Sequence, residues 1–347
     1  MIATQATNAT STHSFTRKQI IVTFVIPEAD GSFTQFTVGQ DHAVQATIKH
    51  AGQTSGSEAN ITITGLTHTD RNSLMIVPEH PSPDNLNTTM PGQTFVSIQA
   101  GDRDTPLTSL FIGTVSRAHT DYNDLETPFH VHAMTSTVPA AILTEARGYA
   151  GPQDISALLA DICADAGFQL LDHGGWDRHL TLTNHYRWGT SLDQIQAILH
   201  AVKGVFSFSP YLPSEGENTS LSGKAIPYKG LLEIWGPTFT GVPSTGEAQD
   251  VPIISFETGM TGYPEYSSAG LSLTSLLRPD ITFWRPFMLH DTQIPEDNDS
   301  ATSQRAENAP WSGLWLPTFV WHEISSESGK GAWHTHMTCI RTTLGRR

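Results

Sequence analysis

The chain has 347 residues, more than one ordinary core takes up, so two or three domains are expected. Charged residues make up only 15%, while apolar residues reach 38% before glycine is counted, enough for real cores. A formal net charge of −15 excludes a classical nucleic-acid binder, whose phosphate contacts need clustered Lys and Arg.

Abundant Thr, Ser, Gly and Pro, with aromatics spread along the length, favour β structure with many turns. The two cysteines, Cys163 and Cys339, are far apart and form no spaced motif, so both thiols are expected free in a reducing compartment. Residues 1–14 are polar and lack the apolar core of a secretion signal. No run approaches membrane-spanning length.

Residues 1–16 read as a flexible arm rich in Thr, Ala, Asn and Ser. Ile20, Val22, Phe24 and Ile26 then share one strand face, and 33–38 returns. Residues 43–49 and 60–66 alternate on either side of Gly52-Gln-Thr-Ser-Gly56, which suits a long, mobile hairpin tip. Residues 73–77 suit a strand or a short helix, and 78–92 read as a Pro-rich loop. Strands at 94–100 and 110–115 complete a small antiparallel barrel or sandwich, giving a first domain over 17–118.

The pattern changes across 119–236, which reads as a small α/β domain. Residues 129–134 form a strand. Ile155, Leu158, Leu159, Ile162 and Ala166 share one face of a helix, with Asp154 as N-cap and Gly167 as its stop. After a strand at 179–183, Ser191 and Gln194 predict a capping box for a second helix that ends at Gly204. Strands at 205–208 and 231–235 flank a polar loop at 213–224. Residues 237–347 hold a linker and then renewed strand patterning, interrupted by the acidic stretch 295–310. Strand–loop–strand units at 43–66 and 317–340 echo each other, which fits two barrels of similar plan.

Candidate chemistry is sparse. His130 and His132 sit two apart on a strand and share a face, as do His334 and His336, and two such pairs could in principle supply four nitrogens to a metal. No cysteine or spaced carboxylate accompanies them, so a polar lumen or interface is the preferred reading. Asp161 and Asp165 lie one helical turn apart and read as a solvated face. Gly259-Met-Thr-Gly262 and Gly313 lack the surroundings of a phosphate loop. Trp176, Trp188, Trp284, Trp311, Trp315 and Trp321 suit barrel ends and subunit contacts better than a sugar platform. No catalytic, cofactor-binding or metal residue is nominated, and no enzyme activity is expected.

The order of elements resembles the hub proteins of contractile phage tails and related injection machines. The resemblance is carried by residues 154–168, Leu182-Thr-Asn-His-Tyr186, the helix start at 189–196, Phe256-Glu-Thr-Gly-Met-Thr-Gly-Tyr-Pro264, and the closing His322-Glu-Ile-Ser-Ser and Gly331-Ala-Trp-His-Thr-His-Met337. It implies a mainly β (α+β) chain with two tail-tube-like antiparallel β-barrels and a small α/β domain inserted between them. It further implies a homotrimeric baseplate hub in the virion, assembled in the host cytoplasm. Such a hub adapts the six-fold tail tube to a three-fold central spike. It contacts the tail tube protein, the spike and the tape measure protein, and DNA passes through without sequence-specific binding. The hairpins at 43–66 and 318–340 would line the channel or pair across subunits. No lysozyme-like domain or β-helix spike follows the second barrel, so other chains would supply them. The alternatives are a spike-base protein of a bacterial contractile secretion system, or a cell-wall-degrading enzyme of the tail.

Overall fold

The computed structural model describes residues 17–27, 33–39, 41–75, 94–103, 105–177, 180–212, 230–241, 251–268, 270–290, 312–326 and 331–342. The expected arm at 1–16 and the loops at 78–92, 213–224 and 295–310 lie outside them.

The first part contains β1 (Lys18–Pro27), β2 (Phe33–Val38), β3 (Ala43–His50), β4 (Glu58–Thr64), the short helix α1 (His68–Leu74), β5 (Phe95–Asp102), β6 (Thr108–Thr120) and β7 (Phe129–Met134). Period-2 patterning makes these strands. In β4, Ala59, Ile61 and Ile63 are buried while Asn60 and Thr62 face away, and β7 buries Phe129, Val131 and Ala133. Together with Ile20, Val22, Phe24 and Ile98 they form one core. In the segment at 73–77, Ser73 and Leu74 end a helix that starts earlier, at His68, and 76–77 lie outside the described residues. Thr67 caps it by accepting from the Asp70 N–H at 3.2 Å.

The middle part contains β8 (Arg147–Gly148), β9 (Pro152–Asp154), α2 (Ile155–Ala166), β10 (Phe168–Asp172), β11 (Thr181–Thr183), β12 (Tyr186–Arg187), α3 (Ser191–Ala201), β13 (Val205–Pro210) and β14 (Gly230–Trp235). The three-stranded sheet β10–β14–β13 packs on both helices through Leu159, Ile162, Ile195, Ile198, Phe206 and Leu232. Gly167 ends α2 in the left-handed region (φ 82°), and its N–H bonds the Cys163 carbonyl. Asp154 has N-cap backbone geometry but makes no capping bond with its side chain. The expected Ser191/Gln194 capping box sits one residue earlier, as Thr190 with Asp193. Ser191 and Gln194 point inward instead, Ser191 Oγ donating to the Pro139 carbonyl at 2.7 Å.

The last part contains β15 (Ile253–Ile254), β16 (Met260–Ser267), β17 (Gly270–Leu276), β18 (Phe287–Leu289), β19 (Gly313–Ser325) and β20 (Trp333–Arg341). Ile254, Leu271, Leu273, Phe287, Trp315, Val320 and Met337 form its core.

The first and last parts share one large sheet, ordered β16-β17-β20-β19-β3-β4-β7-β6-β5-β1-β2, with β18 on β19 and β15 on β18. The fold is thus mainly β, built on one large, almost wholly antiparallel sheet. Ladder pairing among the described residues does not close either half into a separate barrel. The two hairpins expected to line a channel or pair across subunits pair with each other inside the chain. β19 runs antiparallel to β3 from Val320↔His50 to Ser325↔Gln45. Gly52–Gly56 is not a mobile tip either. It is a tight turn, and a Cβ on Gly52 would lie 2.3 Å from the Phe283 ring and 2.6 Å from the Phe206 carbonyl oxygen. The turn is wedged between the other two parts of the chain.

Candidate functional site

The outer face of the large sheet carries the most distinctive side chains. Within it lie two four-strand blocks side by side, β16-β17-β20-β19 and β3-β4-β7-β6. Shifting the first block by four strands superposes its plan on the second. β19 and β6 correspond. Both are 13 residues long, and both carry a bulge, between Pro317 and Phe319 and between Val115 and Arg117. In each, the first half pairs an outlying strand, β18 or β5, and the second half pairs the hairpin partner, β20 or β7, although β20 also runs along β19 from Trp315 onward. The registers agree as well: Trp321↔His336 and Glu323↔His334 in one block match Arg117↔His132 and His119↔His130 in the other.

The two His-x-His pairs therefore occupy equivalent places on the face away from the core. They do not come together. β20 and β7 are separated by β19, β3 and β4, four strand steps or roughly 19 Å, so no single metal is shared. Among the described residues no group of three or more His, Cys, Asp or Glu side chains converges.

Each pair is instead tied into the polar face. His130 Nδ1 lies 3.2 Å from Thr62 Oγ1, and its ring is 5.3 Å from that of His119. His132 Nδ1 is 2.6 Å from Ser116 Oγ, and its Nε2 is 3.5 Å from Glu58. Glu58 also accepts from Lys49 at 2.7 Å, and that bond holds its carboxyl below the usual range. His336 Nδ1 is 3.0 Å from Thr274 Oγ1, while its ring stacks on Trp321 at 4.7 Å. Burial lowers its pKa, the first and largest cause, although Glu323 at 3.7 Å acts the other way. Lys49 and Arg117 stand against Glu58 and Glu323 on this face, so it is polar and nearly balanced in charge.

Where β19 meets β3, two further histidines lie on the core side. The rings of His50 and His322 meet edge to face at 5.2 Å, and His322 is 1% exposed with Nδ1 2.9 Å from Thr335 Oγ1. Burial lowers the His50 pKa to about 4 and drives His322 well below its ordinary value. Sequence reading overlooked this pair. The signal was there, since His322 interrupts the inward-facing series Val320, His322, Ile324.

The remaining candidates are structural. Asp161 and Asp165 lie on the solvent side of α2, as expected, and both are paired there. Asp161 accepts from Tyr149 Oη at 2.8 Å and Arg147 at 3.0 Å, which lowers its pKa, the tyrosine bond being the larger cause. Asp165 pairs with Arg187, whose side chain is fully buried and also donates to Gln194 at 3.1 Å. Gly259 (φ 103°) shapes the turn into β16, Gly262 (φ 72°) lies within β16 where its register shifts, and Gly313 opens β19. Of the tryptophans, Trp315 fills the last core, Trp321 lies on the polar face and Trp188 is 70% exposed. Trp311 lies outside the described residues. Both cysteines are free and buried, and burial pushes the Cys163 thiol up to about 12 and Cys339 higher still, so neither is a nucleophile. A second overlooked cluster joins the middle part to the last. The buried Glu233 lies 3.1 Å from His173 Nε2 and 3.4 Å from Arg285, and His173 stacks on Trp235 at 4.7 Å.

No protein-family model and no curated protein matches the chain. Solved structures do. The tail protein from Neisseria meningitidis MC58 is similar over 93% of this chain and 96% of its own, at 6% identity and a TM-score of 0.47. The 43 kDa tail protein of prophage MuSo2 from Shewanella oneidensis is similar over 92% and 96%, at 9% identity and a TM-score of 0.46. The lidless PdpA–VgrG complex is similar over 95% of this chain and 66% of that one, at 9% identity and a TM-score of 0.48. The sequence resemblance to tail hub proteins thus meets structural neighbours that are themselves tail or VgrG-complex chains. At such identities and TM-scores these likenesses carry no weight in assigning a function, which rests on the chain's own geometry. No helix among the described residues is long and apolar enough to cross a membrane.

Proposed function

We propose that the protein is a structural hub of a phage tail baseplate, in which three copies form a ring of six blocks around a channel. Each half of the chain would supply one tube-like barrel. The ring would adapt the six-fold tail tube to a three-fold spike and let the tape measure protein and then DNA through. The reading places the protein in the virion tail, assembled in the host cytoplasm, and assigns no catalytic residue.

The observation that carries this reading is the four-strand translation within one sheet. The junction β19–β3 joins the end of one block to the start of the next. Among the described residues, the same geometry leaves two matching edges unpaired. The Asp121 N–H bonds the Pro128 carbonyl at 3.0 Å, so the odd residues of the second half of β6 bond to β7. Ala118 and Thr120 then turn their backbone groups to the other edge, where no described strand lies. At the opposite end of the double block, β16 pairs with β17 alone among the described strands and exposes Tyr263 (77%) and Tyr266 (46%). Open edges of this kind invite strand addition. Joining β6 of one copy to β16 of the next would repeat the β19–β3 junction and close a ring after three copies. The polar, charge-balanced outer face would then line the channel, a surface over which DNA phosphates find little to hold them.

Light scattering on the purified chain should give three times the chain mass, and electron micrographs a three-fold ring with a six-fold outline. Ala118→Pro removes one edge-facing N–H and leaves the β7 ladder intact, so it should give a folded monomer. A wild-type monomer at every concentration, or an unaltered ring in the proline variant, overturns the proposal.

A further inference from the structure

A cavity of about 260 Å³ lies where the start of β1, the turn before β3, the turn after β5 and the end of β19 converge. It belongs to none of the features above. For a chain of net charge −15, its lining is unusual: Arg17, Lys18 and Arg103 stand around it against one carboxylate among the described lining residues, Asp41. Lys18 is already neutralised by Asp102 and also lies 5.9 Å from the centre of the Trp333 ring. The side chains of Arg17 and Arg103 have no hydrogen-bond or ion-pair partner among the described residues. Their backbones are joined, Arg103 N–H to Arg17 carbonyl at 2.9 Å, which continues the β1–β5 register and sets the two residues opposite each other on one wall. His42 also lines the hollow, but its Nδ1 is buried away from it. The frame is firm, because the Val44 N–H donates to Ser326 Oγ at 2.8 Å and ties the wall from β19 to that from β3.

Two neighbouring guanidinium groups, without side-chain partners among the described residues, suit a doubly charged oxyanion with more acceptor oxygens than a single carboxylate offers. Asp41 sharpens the choice. Hydrogen phosphate keeps a P–OH that can donate to a carboxylate, and a phosphodiester or sulfate has none at neutral pH. We propose that this hollow is a binding site for a small phosphate group with a free P–OH, held by Arg17 and Arg103 beside Asp41. Occupancy would brace the end of the β19–β3 junction, where these chain segments meet.

The test is calorimetric titration of the full chain with inorganic phosphate, and separately with dimethyl phosphate, at constant ionic strength. Inorganic phosphate should bind saturably, one per chain, and about tenfold more tightly than the diester. Arg17→Gln and Arg103→Gln should each weaken it by about tenfold, the loss expected for one charge-assisted contact. Lys203→Gln removes an exposed cation elsewhere and should leave binding unchanged. Both arginines are exposed and without described side-chain partners, so their variants should keep the wild-type melting temperature. Absence of saturable binding, equal binding of the diester, or equal weakening by Lys203→Gln overturns the proposal.

Discussion

Replacing His50 by Gln should flatten the acid sensitivity of this protein. His50 sits on β3 opposite Val320 of β19, edge to face with His322, and its ring donates to the Leu110 carbonyl of β6. Burial holds its folded pKa at about 4, against an ordinary value of 6.5. Above pH 6.5 the imidazole is neutral both folded and unfolded, so it adds no pH dependence. As the pH falls below 6.5 the unfolded chain takes a proton that the folded one refuses, and stability drops. The loss reaches about 2 kcal/mol by pH 5 and levels off near 3 kcal/mol once the folded state also protonates around pH 4. His322 acts in the same direction, since burial first, and then the imidazoles of His50 and His336, lower its pKa. Carboxylates do not confuse this window. Glu58, Asp161 and Glu233 all have lowered values, so their contributions fade only at lower pH. Urea unfolding followed by tryptophan fluorescence, at fixed protein concentration and at pH 8 and 5, gives the comparison. The wild type should lose at least about 2 kcal/mol more than His50→Gln over that interval. Equal losses would refute a buried neutral imidazole at this junction.

Three other substitutions test the packing. Glu233→Gln removes the charge that accepts from His173 and Arg285, and should cost about 2 kcal/mol in urea unfolding, with faster amide exchange along β14. Arg187→Met strands Asp165 and Gln194 and should cost about 3 kcal/mol, while Arg187→Lys recovers only part because it cannot reach both. Gly52→Ala drives a methyl into the Phe283 ring and the Phe206 carbonyl, and should lower stability by roughly 2 kcal/mol as the middle and last parts are pushed away from the turn. A melting temperature equal to wild type for any of these would contradict the contact it removes.

Local periodicity carried much of the fold. The strand at 129–134 and the helix ending at Gly167 follow from inward-facing residues at spacings of two and of three to four. What sequence could not give was decided by distant partners. Ser191 and Gln194 have the right chemistry for a cap, yet Pro139 and Arg187 hold both side chains in the interior, and Thr190 takes the cap. Gly52–Gly56 has a flexible composition, but Phe283, far along the chain, closes over it. The strand–loop–strand echo between 43–66 and 317–340 was real as a pattern and misleading as a register. Those hairpins are neighbours across the junction, and the true counterparts are β6–β7 and β19–β20. Pairing order is a long-range property, so no local window contains it. The phosphate-sized cavity was equally hidden, because its walls come from residues as far apart as Arg17 and Ser326.

Two blocks per chain have a consequence for symmetry in the proposed ring. Inside the chain, the junction is made by His322 and Ile324 against Ile48 and Ala46, all buried. At the equivalent places on β6 stand Ala118 and Thr120, smaller residues without an imidazole. The junctions between chains therefore cannot copy the junction within a chain, and the two kinds must alternate. A ring assembled this way keeps six similar strand blocks but only three equal junctions of each kind. Six-fold partners would meet the blocks, and three-fold partners would meet the alternation. The internal junctions are also preformed when the chain folds, so three contacts rather than six remain to be found in solution. An acid pulse should act on the imidazole-bearing internal junctions, whereas proline at Ala118 acts on the others. Separate failure of the two kinds is what distinguishes a ring of duplicated chains from a ring of six identical units.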